Sequence, residues 1–226
     1  MLLWLVNVFM ESSFLEFKHK VARVLQSRRR KQAVCSGFGL SAVLVPFYEK
    51  EGKVHLLFTK RTDRVAHHKS QISFPGGAKD PGDRTLLQTA LRESAEEIGL
   101  DVAAVEVLGA LDDTPTMASK YVITPFVAAL NGSPLLTVNR EEVEEVIELP
   151  LEALLEGRNP RNERLVVDGG ATRQVMAYRY DGHVIWGATA SVLKQFLDLA
   201  RLELEGTVRS APACEAGSPQ PDSAGS

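Results

Sequence analysis

Residues 76–100 read GGAKDPGDRTLLQTALRESAEEIGL and form the most informative stretch of the chain. A Gly-Gly pair is followed by a run in which apolar side chains recur at helical spacing. Thr85, with Gln88 three residues later, has the pattern of an N-terminal capping box, and Gly99 stands where a left-handed C-terminal cap is expected. The sequence therefore predicts a helix over residues 85–98 whose two ends are set by local residues.

The two faces of this helix differ in chemistry. At about 100° per residue, a narrow stripe suited to a hydrophobic core holds four residues, Leu87, Leu91, Ser94 and Ile98. The opposite face is expected to hold a guanidinium and three carboxylates, Arg92, Glu93, Glu96 and Glu97. Three like charges within two turns repel, so this face needs compensation. Either a solvated acidic face held by Arg92 or a bound cation would supply it.

The Gly-Gly pair before the helix favours the cation. Glycines allow a backbone to approach a ligand closely, and a carbonyl beside three carboxylates makes an all-oxygen site. Such a site suits hard ions such as Mg²⁺ or Mn²⁺, which also bind substrate phosphates. The arrangement is typical of phosphoanhydride hydrolysis.

This segment resembles the Nudix box, G-x5-E-x7-R-E-U-x-E-E-x-G-U with U aliphatic, whose second half residues 92–100 match. Ser94 replaces an aliphatic residue, Asp83 stands where the first Glu belongs, and eight residues rather than seven separate Asp83 from Arg92. The resemblance implies a metal-dependent hydrolase with an α/β fold, an α/β/α sandwich around a mixed central sheet.

Residues 56–77, LLFTKRTDRVAHHKSQISFPGG, resemble the signature of the coenzyme A pyrophosphatase branch of the Nudix family. The matching residues are Arg61, Thr62, Phe74, Pro75, Gly76 and Gly77, whereas Ala66 and Ser70 replace an Arg and a Gly. The resemblance implies that coenzyme A, or its acyl or oxidised forms, is cleaved to 3′,5′-ADP and a 4′-phosphopantetheine product. It also implies substrate contacts from Arg61, Phe74 and Gly76. Phe74 and Trp186 are candidates to stack an adenine, although a place in the core is the favoured interpretation of both rings.

The resulting hypothesis assigns roles to the acidic helix. Glu93 and Glu97 are direct metal ligands, Glu96 completes the cluster, and the Gly77 carbonyl is a further ligand. The catalytic residues are Glu93, Glu96 and Arg92, and the general base is Glu93 or a carboxylate from residues 141–145. Two alternatives stay open: a Nudix hydrolase of another nucleotide, such as ADP-ribose or a nucleoside triphosphate, and a non-catalytic nucleotide- or RNA-binding module.

The rest of the chain predicts strands and helices around this segment. Strands are expected at residues 41–47, 54–60, 105–110, 121–130, 143–149, 164–168 and 174–180. Further helices are expected from residue 12, at 151–155 and at 191–204. Three parts follow: an apolar segment with a basic helix over residues 1–32, the hydrolase domain over 33–205, and a disordered tail over 206–226.

Charge and cysteine content limit the partners. The chain has 226 residues and a net charge of −3, with seven basic and two acidic residues among the first 31. The remainder therefore carries −8, which makes nucleic acid an unlikely ligand and favours a small nucleotide bound through a cation. The basic run at residues 28–31 is expected to be a solvated helix exit. Cys35 is expected to be a small core residue. The protein is further expected to be cytoplasmic, without a membrane contact, and a homodimer is considered.

Overall fold

A computed structural model describes residues 14–63, 71–156, 160–166, 170 and 172–210. The helices are α1 (Phe14–Ser27), α2 (Leu86–Ile98), α3 (Leu151–Leu155) and α4 (Gly187–Ser210), with a 3-10 turn at Val102–Ala104. The strands are β1 (Gly39–Lys50), β2 (Lys53–Arg61), β3 (Ile72–Ser73), β4 (Gly76–Ala78), β5 (Val105–Ala110), β6 (Thr114–Thr116), β7 (Tyr121–Leu130), β8 (Val143–Pro150), β9 (Arg161–Val166), β10 (Thr172–Tyr180) and β11 (His183–Trp186).

The central sheet is mixed. Five of its eight strands lie in the order β3-β2-β1-β7-β5, while β4 pairs with β1, β6 with β7 and β8 with β2. Strands β1 and β7 are parallel, and the other pairs in this sheet are antiparallel. A second sheet has the order β11-β10-β9.

Both faces of the central sheet are buried, which explains the nearly continuous apolar run of β1. Val45 and Phe47 of β1 join the larger core cluster, to which α1 and α4 contribute. Leu44 and Tyr48 point to the opposite face and join a second cluster that includes Ile98 of α2. Helices therefore cover a mixed sheet from both sides, and the predicted α/β/α sandwich is confirmed.

The basic run after α1 docks onto the body of the molecule. Arg28 forms an ion pair with Asp112, and Arg30 lies 3.3 Å from a carboxylate oxygen of Asp113. The backbone N–H of Lys31 donates to Asp112 at 3.0 Å. The expectation of a solvated helix exit is therefore wrong for Arg28 and Arg30, because both arginines neutralise acidic side chains that follow β5.

Other expectations need smaller corrections. Cys35 lies in the loop before β1 and is only half-buried, so it is not a core residue. Helix α4 runs to Ser210, beyond its predicted end at residue 204. The sequence pattern does not predict the short strands β3, β4, β6 and β11. The first 13 residues, Ala66, Ser70 and residues 211–226 lie outside the described residues. In the described part of the chain, no helix is long and apolar enough to cross a membrane.

Candidate active site

Helix α2 begins at a local cap, as its sequence predicts. The N–H of Gln88 donates to the Thr85 hydroxyl at 3.1 Å. The return bond differs from the capping-box pattern, because the Gln88 side-chain oxygen accepts from the N–H of Arg84 at 2.9 Å. The first turn is therefore held from both sides, with the second contact one residue earlier than expected.

Helix α2 ends at Gly99, which has a left-handed φ of 65°. Its N–H donates to the carbonyl of Ala95 at 2.9 Å. A Cβ at Gly99 would lie 2.8 Å from the carbonyl oxygen of Thr137 and 2.9 Å from its nitrogen. Glycine is therefore required here for both conformation and space, and the chain around Thr137 packs against the helix end.

Arg92 organises the exposed side of α2. Its Nε and Nη2 donate to the two oxygens of Asp83 at 3.1 and 3.0 Å, and its Nη1 donates to Glu96 at 2.8 Å. Nη2 also lies 2.9 Å from Glu93. Asp83 is 4% exposed, and the Arg92 guanidinium holds the pKa of its carboxyl well below the usual range. Asp83 is therefore an effective partner of Arg92 despite its short side chain.

Glu97 is buried, which corrects the expectation that it shares the solvent face of the helix. Its residue is 1% exposed, and one carboxylate oxygen accepts from the N–H of Gly76 at 3.2 Å. The other oxygen lies 3.6 Å from Nη1 of Arg61. Burial raises the pKa of Glu97 to about 7, although the Gly76 N–H and the Arg61 charge both oppose this shift.

Glu93 is less deeply buried than Glu97. It is half-buried, and burial raises its pKa against the opposing charge of Arg92. The carboxyl group packs on Gly77: a Cβ at Gly77 would come within 2.5 Å of the Glu93 carboxyl carbon. Glu96, by contrast, has a side chain that is 57% exposed. Solvent exposure therefore increases from Glu97 through Glu93 to Glu96.

The Gly-Gly pair brings β4 against these glutamates. Gly76 and Gly77 pair with Val43 and Ala42 of β1. At Gly76, φ is 147°, and a Cβ would lie 2.3 Å from the carbonyl oxygen of Ala42. The absence of side chains at both positions allows one strand to contact β1 on one side and two carboxylates on the other.

Sequence comparisons identify the family of the chain. The model of the NUDIX domain family matches residues 39–168. The mitochondrial coenzyme A diphosphatase NUDT8 of Mus musculus is 38% identical over 164 residues, which cover 70% of this chain and 77% of that protein. The uncharacterized Nudix hydrolase NudL of Yersinia enterocolitica is 36% identical over 156 residues, which cover 69% and 78%.

The chain is a Nudix hydrolase. As a member of this family it acts on phosphoanhydride bonds and uses divalent metal ions. Among solved structures, the NUDIX domain of Shewanella oneidensis NrtR complexed with ADP ribose aligns with a TM-score of 0.49 and 18% identity, over 81% of this chain and 97% of that chain.

The donor set of this Nudix hydrolase fits a hard divalent ion. Glu93, Glu96 and Glu97 supply only oxygen atoms, and the buried charge of Glu97 is balanced by one N–H and a guanidinium at 3.6 Å. Within the described residues, no three acidic, His or Cys side chains already converge on one point. The carboxylates instead contact Arg92, Arg61 and Gly76, so a bound ion would replace these contacts.

Two predicted substrate contacts differ in position. Arg61 lies at the site, since its guanidinium reaches Glu97 and its side chain is 28% exposed. Phe74 is 2% exposed and stacks on Phe58 with ring centroids 4.5 Å apart. The Phe74 ring is therefore part of the core, as favoured from the sequence, and this burial corrects the substrate contact that the resemblance implies for it. Trp186 remains half-buried on β11.

Ser94 explains how the Nudix helix tolerates a polar residue in its core stripe. The residue is fully buried, and its hydroxyl donates to the carbonyl of Ala90 at 2.7 Å. A buried hydroxyl that bonds the preceding turn is satisfied without any other partner. The departure from the aliphatic pattern therefore leaves the packing of α2 intact.

Proposed function

We propose that this Nudix hydrolase cleaves the diphosphate of coenzyme A and of its acyl or oxidised forms, with Mg²⁺ or Mn²⁺ as the ion. The products are 3′,5′-ADP and a 4′-phosphopantetheine compound. The observation that carries the proposal is the meeting of two motifs at Glu97. Gly76 and Arg61, from the segment that resembles the coenzyme A branch, both contact this glutamate of the Nudix helix. The name of NUDT8, a coenzyme A diphosphatase, supports the same substrate class.

Different residues of the site have different proposed roles in binding the ion. Glu93, Glu97 and Glu96, with the Gly77 carbonyl, would hold the ion, which neutralises phosphate charge and makes a bound water more acidic. Arg92 keeps Glu93 and Glu96 in place through its contacts at 2.9 and 2.8 Å. The buried surroundings of Glu97 exclude water from one side of the cluster, so that charges there interact strongly.

Arg61 is the proposed phosphate contact. Its Nε is buried without a hydrogen-bond acceptor within the described residues. A guanidinium donor in this state matches a phosphate oxygen in charge and geometry. Binding substrate would therefore satisfy a group that the protein leaves without an acceptor.

Hydrolysis itself needs one water and one proton acceptor. The water oxygen forms a bond to one phosphorus, and the bridging oxygen leaves with the other phosphate together with the electron pair of the broken P–O bond. The proton of the water passes to a carboxylate, for which Glu93 or a member of the 141–145 segment is proposed.

A substrate panel tests the proposal. The full chain is incubated with Mg²⁺ and with coenzyme A, ADP-ribose or nucleoside triphosphates, and the products are separated by chromatography. Cleavage of coenzyme A to 3′,5′-ADP at a rate above those of the other nucleotides is expected. Inertness toward coenzyme A, with turnover of ADP-ribose or a triphosphate, would overturn the substrate assignment.

We further propose a cytoplasmic location, because two cysteines that are far apart in the sequence favour a reducing compartment. The relative NUDT8 is named as mitochondrial. Fractionation of cells that express the full chain distinguishes the two: recovery in the cytosol is expected, and recovery in mitochondria would contradict the proposal.

A further inference from the structure

The loop at residues 131–142, between β7 and β8, is bonded to the end of the Nudix helix. The N–H of Thr137 donates to the carbonyl of Ile98, and the N–H of Asn139 donates to the carbonyl of Glu97, both at 2.9 Å. The last carbonyls of a helix lack partners within the helix, so this loop supplies them. Asn139 is therefore attached to the backbone of a proposed metal ligand.

The side chain of Asn139 fixes the turn that follows. Its Oδ1 accepts from the N–H of Glu141 at 3.1 Å, and its Nδ2 donates to a carboxylate oxygen of Glu142 at 3.3 Å. Its backbone carbonyl accepts from the N–H of Glu142 at 3.2 Å and of Val143 at 2.9 Å. One residue thus sets both the backbone and the side-chain direction of Glu142.

A second anchor holds the same turn from β2. The N–H of Thr62 donates to the carbonyl of Glu142, and the Thr62 hydroxyl donates to the carbonyl of Glu141, both at 2.9 Å. Thr62 follows Arg61, which reaches Glu97. Glu142 is therefore held between the two chain segments that meet at Glu97. Its negative charge adds to the raised pKa values of Glu93 and Glu97.

We propose that Asn139 is a positioning residue of the active site: bonded to the backbone of Glu97, it holds the Glu142 carboxylate at the C-terminal end of the Nudix helix as a further carboxylate of the site. The inference deepens the proposed function and rests on it for the role of the cluster as a metal site. Without the Nδ2 contact, the Glu142 carboxylate is free to turn away from this end of the helix. The cluster would then lose part of the negative charge that attracts a divalent ion.

Mn²⁺ titration of the full chain, followed by electron paramagnetic resonance of the free ion, tests the proposal. The variants are Asn139→Ser, Glu142→Gln and the double variant; serine retains an oxygen that can accept from the N–H of Glu141. Each single variant is expected to weaken Mn²⁺ binding by about tenfold, as partners of metal ligands commonly do. The double variant should bind no more weakly than Glu142→Gln, because Asn139 acts through Glu142.

Matched controls separate this role from a general loss of charge or structure. Asn131→Ser changes the same residue type in the same loop, and Glu156→Gln removes an exposed carboxylate after α3. Both should bind Mn²⁺ like the parent. If Asn139→Ser fails to fold, Glu142→Gln still decides the matter, since parental Mn²⁺ affinity in that variant would overturn the proposal. Independent, additive losses in the double variant would also overturn it.

Mn²⁺ binding and coenzyme A cleavage are measured separately, so the positioning role and the proposed substrate can fail independently. Coupled Mn²⁺ effects in a protein that leaves coenzyme A intact would support the positioning role and contradict the proposed substrate. Coenzyme A cleavage with uncoupled Mn²⁺ effects would support the substrate and contradict the positioning role.

Discussion

A single residue, Asp83, shows how a local turn replaces a longer side chain. The N–H of Asp83 donates to the carbonyl of Asp80 at 3.0 Å, and the N–H of Asp80 donates to the Asp83 carboxylate at 3.0 Å. The Thr89 hydroxyl adds a contact of 2.9 Å. The turn over residues 80–83 and the Thr89 hydroxyl therefore hold the shorter carboxylate at the guanidinium of Arg92.

Asp83→Asn is expected to lower stability in a pH-dependent way. The pKa of Asp83 is held below its unfolded value of about 3.9, so the charged pair stabilises the fold above that pH and its contribution disappears as pH falls further. Urea unfolding should show the variant less stable than the parent at pH 7, with the difference shrinking below about pH 4. Asp181→Asn, on the exposed turn after β10, is the control, and a difference that persists unchanged at pH 3 would refute the assignment.

Gly77→Ala tests the contact between β4 and Glu93. The new Cβ would lie 2.5 Å from the Glu93 carboxyl carbon, so the glutamate must move. A displacement of this size is expected to lower kcat by about 100-fold while the protein stays folded. Gly82→Ala is the matched control, because its Cβ would meet only an Asp80 oxygen at 3.4 Å. Parental turnover in Gly77→Ala would be inconsistent with this site geometry.

For Glu97, the sequence predicts a role in the site but not the burial of its side chain. Its identity as a site residue follows from the motif, but a helical wheel sorts residues by polarity and so places it in solvent. The structure buries it because β4, about 20 residues earlier in the chain, lies across the helix face and donates the Gly76 N–H. No local pattern contains that contact, nor the one between Asn139 and Glu142.

At the scale of helices and strands, an element is predicted correctly when the signals that define it lie within its own residues. Helix α2 begins and ends where its caps predict, and β5 and β7 match their predicted bounds, because these signals lie within the elements themselves. Strands β3, β4 and β6 have two or three residues each, too few for any periodicity. They exist because longer neighbouring strands offer free edges for pairing.

The C-terminal cap of α2 provides a test of element stability. In Gly99→Ala, the alanine must adopt a left-handed φ, and its Cβ would collide with the backbone of Thr137. Gly182→Ala, in the turn between β10 and β11, imposes the left-handed φ of 80° with nothing within 4 Å of the new Cβ. Denaturant unfolding should show a loss of about 1 kcal/mol for Gly182→Ala and a clearly larger loss for Gly99→Ala. Equal losses would argue against the close packing of Thr137 on the helix end.

For the whole molecule, the uneven distribution of charge acquires a structural explanation. The basic run after α1 neutralises Asp112 and Asp113, while Phe17, Val21 and Leu25 of α1 enter the larger core cluster. Sequence alone shows the basic run and the acidic pair but not their contact, since about 80 residues separate them. The N-terminal helix is therefore part of the folded body, not an arm that awaits a polyanion.

A double-mutant cycle on Arg30 and Asp113 measures this docking. The pair is 3.3 Å apart, and the Asp113 side chain is 6% exposed, so a coupling energy of about 1 kcal/mol is expected from Arg30→Gln, Asp113→Asn and the double variant. The exposed pair of Lys194 and Asp198 on α4 is the control, with a coupling of at most about 0.5 kcal/mol. A coupling for Arg30 and Asp113 that equals the control would mean that the pair does not fix α1.

Part of the remaining acidity lies where Glu93, Glu96 and Glu97 meet the Gly-Gly strand. The central claim is that this cluster is the hydrolytic centre. The most direct test compares the parent with Glu97→Gln, in saturating Mg²⁺, on the nucleotide that the parent cleaves fastest. A fall in kcat of at least about 1,000-fold, with an unchanged far-ultraviolet circular dichroism spectrum, is the predicted result. A folded Glu97→Gln protein that turns over at the parental rate would contradict the account.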